Sequence, residues 1–584
     1  MAALITALDN HTSKQIGENG HIEYGWSNSI REKILQFSFQ LTRTDERGLQ
    51  KLSLVLKDIL TTLKAQQNTK SELVVVTEYL VLLYKMIGQT RDIIDGKGEC
   101  LLTYMMIYIW YDFYPELALY ALKCLVEFED NDTTHQYGSW KDIKYFSSYC
   151  YRNWCSLDHP LIQYAISIIN AQLITDYTNL ISNSDEISLA GKWVPREKSG
   201  RFGWMYEALA CNYFPRYVET ANLTLNEKSK ANAILKCKTE YRKILSSLNR
   251  KIDTLQIKQC NKSWSNINFS KVTSVSFSKQ KKAFLNVTKK GDSKYPYDKD
   301  RIECANNFNE HIQKAIKGEV EIKGKRVGLE NFTKQALELL SNPHSPSFEA
   351  EKELLNSQWR DNSAETGALE DMIAMVDVSG SMSGDPLNAA IALGIRVAEK
   401  SRLGKRLLTF SSTPKWVNLE RKNDFVSMVE TVQQADWGMN TNFDAALNMI
   451  LDAIVIAKME PEDVEGLTLA VFSDMQMDQA DRDSSALYDR IRDKYAAAGM
   501  RIKGKPYKPP HILFWNLRST SGFPVLSSQQ NASMMSGFSP AMLSLFCEQG
   551  INSLQACSPW SLFVKGLENE RYKIMEIKAR DFFL

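Results

Sequence analysis

From Gly48 the chain places apolar side chains at three- and four-residue steps, Leu49, Leu52, Leu54, Val55, Ile59, Leu60 and Leu63, the stripe of an amphipathic helix. Leu73 to Ile87 continues the habit after a polar break. A third helix is predicted over Gly98 to Tyr114, a fourth opens at Pro115 and ends near Glu129, and a fifth runs from Leu161 to Asp176. Short helices on short connections predict an all-α front of stacked helix pairs, and the lack of a fixed period favours irregular HEAT-like packing over a strict array. After residue 365 the pattern changes. Met372 to Val376, Arg406 to Phe410, Trp416 to Leu419, Leu467 to Phe472, His511 to Asn516 and Met534 to Gly537 are short apolar runs with strand character. Helical patterns stand between them, among them Asp424 to Gln434, Ala445 to Ala457, Ser484 to Ala498 and Pro540 to Glu548. That alternation predicts a doubly wound α/β domain, a parallel sheet with helices on both faces. The expected division is a loosely ordered lead-in over 1–45, an α-helical repeat domain over 46–340, a linker with a short helix over 341–365, and the α/β domain over 366–584.

Composition adds constraints. A chain of 584 residues exceeds one core, and 44% hydrophobic with 24% charged residues is ordinary for a soluble globular protein. The opening MAALITALDNH lacks the basic start and apolar run of a secretory signal. The most apolar window, Leu101 to Trp110, reaches Asp112 short of the ~18 residues a membrane span needs. Ten cysteines without a C-x-x-C pair point to reduced thiols. An intracellular, cytoplasmic protein is therefore expected, without membrane association; were the chain viral, a virion or viral factory would also fit. Cys150, Cys155 and His159 are the one group of zinc-type ligands, with a spacing that matches no standard finger; buried apolar cysteine is the plainer reading.

Charge is uneven. Net charge is +2, yet Glu227 to Asp292 holds sixteen Lys and Arg against four Asp and Glu, an excess of twelve. Such asymmetry fits a phosphate-bearing partner, although a charge run is more often a solvated helix face. Upstream, residues 192–217 interleave basic groups with Trp193, Phe202, Trp204, Tyr206, Tyr213, Phe214 and Tyr217, a composition that suits either stacked nucleobases or core. In Tyr137-Gly138-Ser139-Trp140-Lys141-Asp142, Ser139 reads as a helix cap, Trp140 as a core anchor and Asp142 as a dipole partner. The candidate contacts to structured or single-stranded RNA are Lys141, Arg196, Lys198, Arg201, Arg242, Lys243, Arg250, Lys251, Lys279, Lys281 and Lys282.

The sharpest chemistry lies in Asp377-Val378-Ser379-Gly380-Ser381, between an apolar strand and a proline-started helix. One carboxylate and two hydroxyls at alternate positions, beyond a strand's carboxyl end, are hard oxygen donors suited to Mg²⁺ or Mn²⁺ rather than zinc. Thr441 stands before the helix Ala445 to Ala457, and Asp474 follows the strand Leu467 to Phe472. D-x-S-x-S, then this threonine, then this aspartate resemble the metal-ion-dependent adhesion site of von Willebrand factor A domains. The resemblance implies that Ser379, Ser381 and Thr441 ligate the ion through hydroxyls, that Asp377 and Asp474 act mostly through bound water, and that one open position takes an acidic group from a protein partner. The two-part layout is similar to Ro/TROVE proteins, whose helical ring binds small RNAs. It is more similar still to an uncharacterised family of plants, fungi and large DNA viruses, on the stretches 137–142, Tyr241-Arg242-Lys243, Trp264-Ser265-Asn266-Ile267 and 511–517.

Catalysis finds little support. Gly380 opens no G-x-S-x-G elbow because Met382 holds the serine position, and H-E-x-x-H and phosphate-cradling glycine motifs are missing. A non-catalytic binding protein, docking an acidic partner at the metal and RNA on the helices, is the expectation. The alternatives are a protein scaffold without RNA, and a Mg²⁺-dependent phosphoryl-transfer enzyme using Asp377.

Overall fold

The computed structural model describes residues 14–67, 73–128, 135–154, 156–223, 226–288, 290–435, 438, 441–477, 487–520, 522–547 and 557–583. The chain forms two compact units. One comprises the residues up to Leu102 with Phe269–Tyr297 and Ala305–Leu584, the other Thr103–Asn268 with Asp298–Cys304.

The first unit begins with an antiparallel hairpin, β1 (Lys14–Ile16) and β2 (Ile22–Tyr24). Its centre is a six-stranded sheet of β3 (Met372–Asp377), β4 (Arg406–Phe410), β5 (Lys415–Asn418), β6 (Thr468–Ser473), β7 (His511–Asn516) and β8 (Ala532–Ser536). The spatial order is β5-β4-β3-β6-β7-β8, and only β5 runs antiparallel to its neighbour. Every residue of β6, β7 and β8 is buried, so both faces of the sheet are covered, which is why these strands read as unbroken apolar runs. The chain leaves β3 toward β4 and later returns to the other side of β3 as β6. The carboxyl ends of β3 and β6 therefore flank the point where winding reverses, the usual crevice of a doubly wound sheet.

The helix Asp385–Lys400 packs onto β3 close enough that Gly394 has no room for a side chain. A Cβ there would stand 2.4 Å from Val376 Cγ2.

Three expected boundaries move. The lead-in is ordered from Lys14: the helix Ile30–Gln40 buries Ile34, Leu35, Phe37 and Phe39 and covers the edge strand β8, where an open edge would invite pairing with another chain. Ser536 Oγ donates to Ser38 O at 2.9 Å, and Glu32 accepts from Ser527 N–H at 3.0 Å. The expected linker holds the sixteen-residue helix Phe348–Ser363, with Trp359 stacked on Phe425 at 3.9 Å and Asn362 accepting from the buried Arg396. A short helix was expected there; its few apolar anchors in a polar segment disguised its length and burial. The expected single helical domain is divided, since Glu46–Gln66, Leu73–Arg91 and Leu329–Leu340 belong to the sheet's unit.

Among the described residues one helix, Leu73–Arg91, is long and apolar enough to cross a membrane; 67% of that stretch is buried, packed against the helix Lys573–Phe583. Lys97 is also interior, donating to Ser38 O, Leu41 O and Ser536 Oγ.

The second unit is helical, with Trp140–Trp154, Pro160–Ile181, Gly203–Tyr213 and Glu227–Ile252 as its main elements. Its core is apolar around a hydrogen-bonded polar group: Tyr241 donates to Asn170 Oδ1 at 3.0 Å, and Asn170 donates to Leu209 O at 2.9 Å. At residues 139–142 the cap runs the other way from the expectation, because Asp142 accepts from both the N–H and the hydroxyl of Ser139.

Two outcomes follow from this packing. Gly394→Ala gains about 1 kcal/mol of helix propensity but must displace a β-branched neighbour, at about 1–3 kcal/mol; a net loss near 1 kcal/mol is expected in denaturant unfolding. Burial pushes the Lys97 ammonium down to about 7 from its ordinary 10.5, so the folded state binds fewer protons than the unfolded chain between those values. Stability should rise with pH across that window, and Lys97→Met should flatten the rise in melting curves.

Candidate metal centre

β3 carries Asp377 to the sheet's carboxyl edge, where the chain turns at once. Val378 and Met382 are buried and pin the loop, while the Ser379 and Ser381 hydroxyl oxygens lie 3.1 Å apart. Gly384, at φ 96°, makes the left-handed turn into Asp385–Lys400, a conformation that favours glycine.

On the neighbouring strand Val376 pairs with Phe472, which brings Ser473 level with Asp377. Ser473 Oγ donates to Asp377 Oδ2 at 2.6 Å, and Ser379 N–H donates to Oδ1 at 2.9 Å. Asp474 follows, as fully buried as Asp377. Its Oδ1 accepts from Gln476 N–H at 3.2 Å, through a tight turn in which Met475 takes φ 64°. A non-glycine residue there costs on the order of 1 kcal/mol.

Thr441 arrives through β4. Asn442 N–H donates to Ser411 O at 2.8 Å and Gly438 N–H to Ser411 Oγ at 3.0 Å, just beyond a strand whose last residue, Phe410, pairs with Asp377. Thr441 is buried on this rim, while the cap of the helix Phe443–Ala457 is Asn442. The five residues expected from the sequence thus gather at one edge: Asp377 at the end of β3 with Ser379 and Ser381 just beyond it, Thr441 beside the end of β4, and Asp474 beyond β6.

Two carboxyl groups in a dry site repel. Burial first, then Asp474, push the Asp377 carboxyl up to about 7. Among the described residues the cation within 4 Å of either acid is Arg518, whose Nη1 lies 3.3 Å from Asp474 Oδ2 and whose side chain is 45% exposed. The donor set is all oxygen. No group of three or more His, Cys, Asp or Glu placed for a metal occurs among the described residues. A site of two acids and three hydroxyls is of a different kind, and its excess negative charge and hard donors fit a small divalent ion.

Sequence reasoning missed the supports, Ser473, Gln476, Arg518 and Ser411. Arg518 was detectable, two residues past a parallel strand and so bound to reach the same rim. The turn of the β1–β2 hairpin was not: Glu18 N–H donates to Gln476 Oε1 at 3.0 Å and Asn19 Nδ2 to Gln476 O at 2.9 Å, from more than four hundred residues away.

The other candidates fare unevenly. Burial pushes the Cys150 thiol up, and His159 Nδ1 accepts from Leu161 N–H as a helix cap; Cys155 lies outside the described residues. Of the basic candidates, Lys141 and Arg201 both lie over the Tyr145 ring, and Arg196 and Lys198 are exposed. Arg242 pairs with Glu197, Lys243 with Glu240 and Lys251 with Asp185, while Arg250 is exposed. Lys281 is held by the buried Glu351 at 3.2 Å; Lys279 is exposed and Lys282 half-buried on the same helix, Ser274–Phe284. The basic run is moreover divided between the two units at Phe269.

Comparison with known proteins gives two family matches. Residues 371–574 match a domain of unknown function (DUF7788), and residues 166–363 match another (DUF2828). An uncharacterised protein of Acanthamoeba polyphaga mimivirus is 26% identical over 575 residues, 94% of this chain and 86% of the relative.

Ser473→Ala removes a buried donor from a buried carboxyl. A loss of about 2 kcal/mol in denaturant unfolding is expected, whereas Ser383→Ala, which removes only an exposed hydroxyl, should change little.

Proposed function

We propose that the chain is a metal-dependent binding protein, in which a Mg²⁺ or Mn²⁺ ion on the β3–β6 rim docks an acidic residue of a protein partner. The observation that carries this is the pair of fully buried acids at adjacent strand ends, with serine and threonine hydroxyls at the same edge. Ser379, Ser381 and Thr441 would hold the ion through hydroxyls, with Asp377 and Asp474 acting through water. The ion would supply the positive charge the two acids lack. Held mainly by neutral groups, it would keep enough charge to draw a carboxylate. This is the von Willebrand A reading of the site, and the doubly wound strand order supports it.

The phosphoryl-transfer alternative is weaker. Both Asp377 oxygens already accept hydrogen bonds and the side chain is wholly buried, which suits an acid that organises a site better than one that must attack.

The test is thermal melting of the full chain with MgCl₂ or with a chelator. Ligand at a hundredfold over Kd adds about 2.7 kcal/mol, which should raise the melting temperature by a few degrees. Asp377→Asn and Thr441→Ala should abolish that rise. The same rise in both variants would overturn the assignment.

A further inference from the structure

The second unit carries a cluster that the metal centre does not use. Lys144, on the helix Trp140–Trp154, places its ammonium 5.1 Å from the Trp193 ring, 5.0 Å from Phe202 and 5.5 Å from Tyr145. Lys141, one turn earlier, lies 5.1 Å from Tyr145; Arg201 lies 5.0 Å from both Tyr145 and Phe202; Lys192 lies 5.9 Å from Trp193. Four cations thus surround three rings.

None of the four has a carboxylate within 4.0 Å among the described residues. The acid nearest in sequence to Arg201, Glu197, is already taken by Lys238 and Arg242. Burial first, and then the neighbouring Lys141 and Arg201 charges, push the Lys144 ammonium down to about 8.

We infer that Lys141, Lys144, Lys192 and Arg201, with Tyr145, Trp193 and Trp204, form a binding site for a single-stranded polynucleotide. A backbone phosphate sits among the cations, and bases lie on the rings. The rings decide between this ligand and a bare anion. Tyr145 and Trp193 are only half-buried, and Tyr151 and Trp204 form a second, stacked pair at 4.3 Å and 14°. Tyr151 lies seven residues beyond Lys144, two turns along the same helix face and roughly 10 Å away, one or two nucleotide steps for an extended strand. Phosphate contacts position such a strand and stacking holds it without regard to sequence.

The experiment is fluorescence anisotropy of the full chain with a labelled uridine oligonucleotide of roughly twelve residues, in salt from about 50 to 200 mM. The wild type should bind, and Lys141→Ala/Arg201→Ala should weaken binding about tenfold and flatten the salt slope by roughly one unit. Both side chains are exposed, so folding should survive. Trp204→Ala should weaken binding with the salt slope unchanged. Arg242→Ala/Lys243→Ala, on ion-paired residues of the same unit, should change affinity less than about twofold. Inorganic polyphosphate of matched charge should compete poorly. No binding at low salt, or equal affinity in the Lys141/Arg201 variant, would overturn the site; equal competition by polyphosphate would overturn the polynucleotide as its ligand.

Discussion

Two acids held side by side in a dry place are a liability, and much of the first unit is arranged around that one. Asp377 and Asp474 stand at the ends of adjacent strands because β3 and β6 pair where the sheet's winding reverses. Their negative charge is answered by hydroxyl and amide donors, Ser473, Ser379 and Gln476, and by one partly exposed arginine. Donors orient the carboxylates without cancelling them. A fold selected for stability alone would not retain such a pair, and so the site invites a functional reading.

The sheet was legible in the sequence because it is buried on both faces, so that Leu467 to Phe472 and His511 to Asn516 could be nothing but strand at that length. The rim was legible because Asp377, Ser379, Thr441 and Asp474 each follow or precede an element whose end is marked. The length and burial of Phe348–Ser363, expected only as a short helix in a linker, were not, since they rest on Leu354, Leu355 and Trp359 among polar neighbours. Nor could the covering of β8 be read: an edge strand does not announce what lies along it.

Charge was the least legible property. A window over residues 227–292 counts twelve excess positive charges, yet Arg242, Lys251 and Lys281 meet Glu197, Asp185 and Glu351, all outside the window. Counting along a chain sees neighbours in sequence; neutralisation is decided by neighbours in space. The unneutralised group, around Lys144, lies outside the densest run and is marked by rings rather than by charge density.

The covering of β8 has a consequence for how the chain is made. Glu32 and Ser527, which hydrogen-bond across that contact, are 495 residues apart. At ~5–20 residues per second, the helix Ile30–Gln40 leaves the ribosome roughly half a minute to two minutes before the strand it will cover exists. Glu46–Gln66 and Leu73–Arg91 can pack on that helix early, but the part of its surface that meets β8 waits, and the first unit closes only when synthesis is nearly finished.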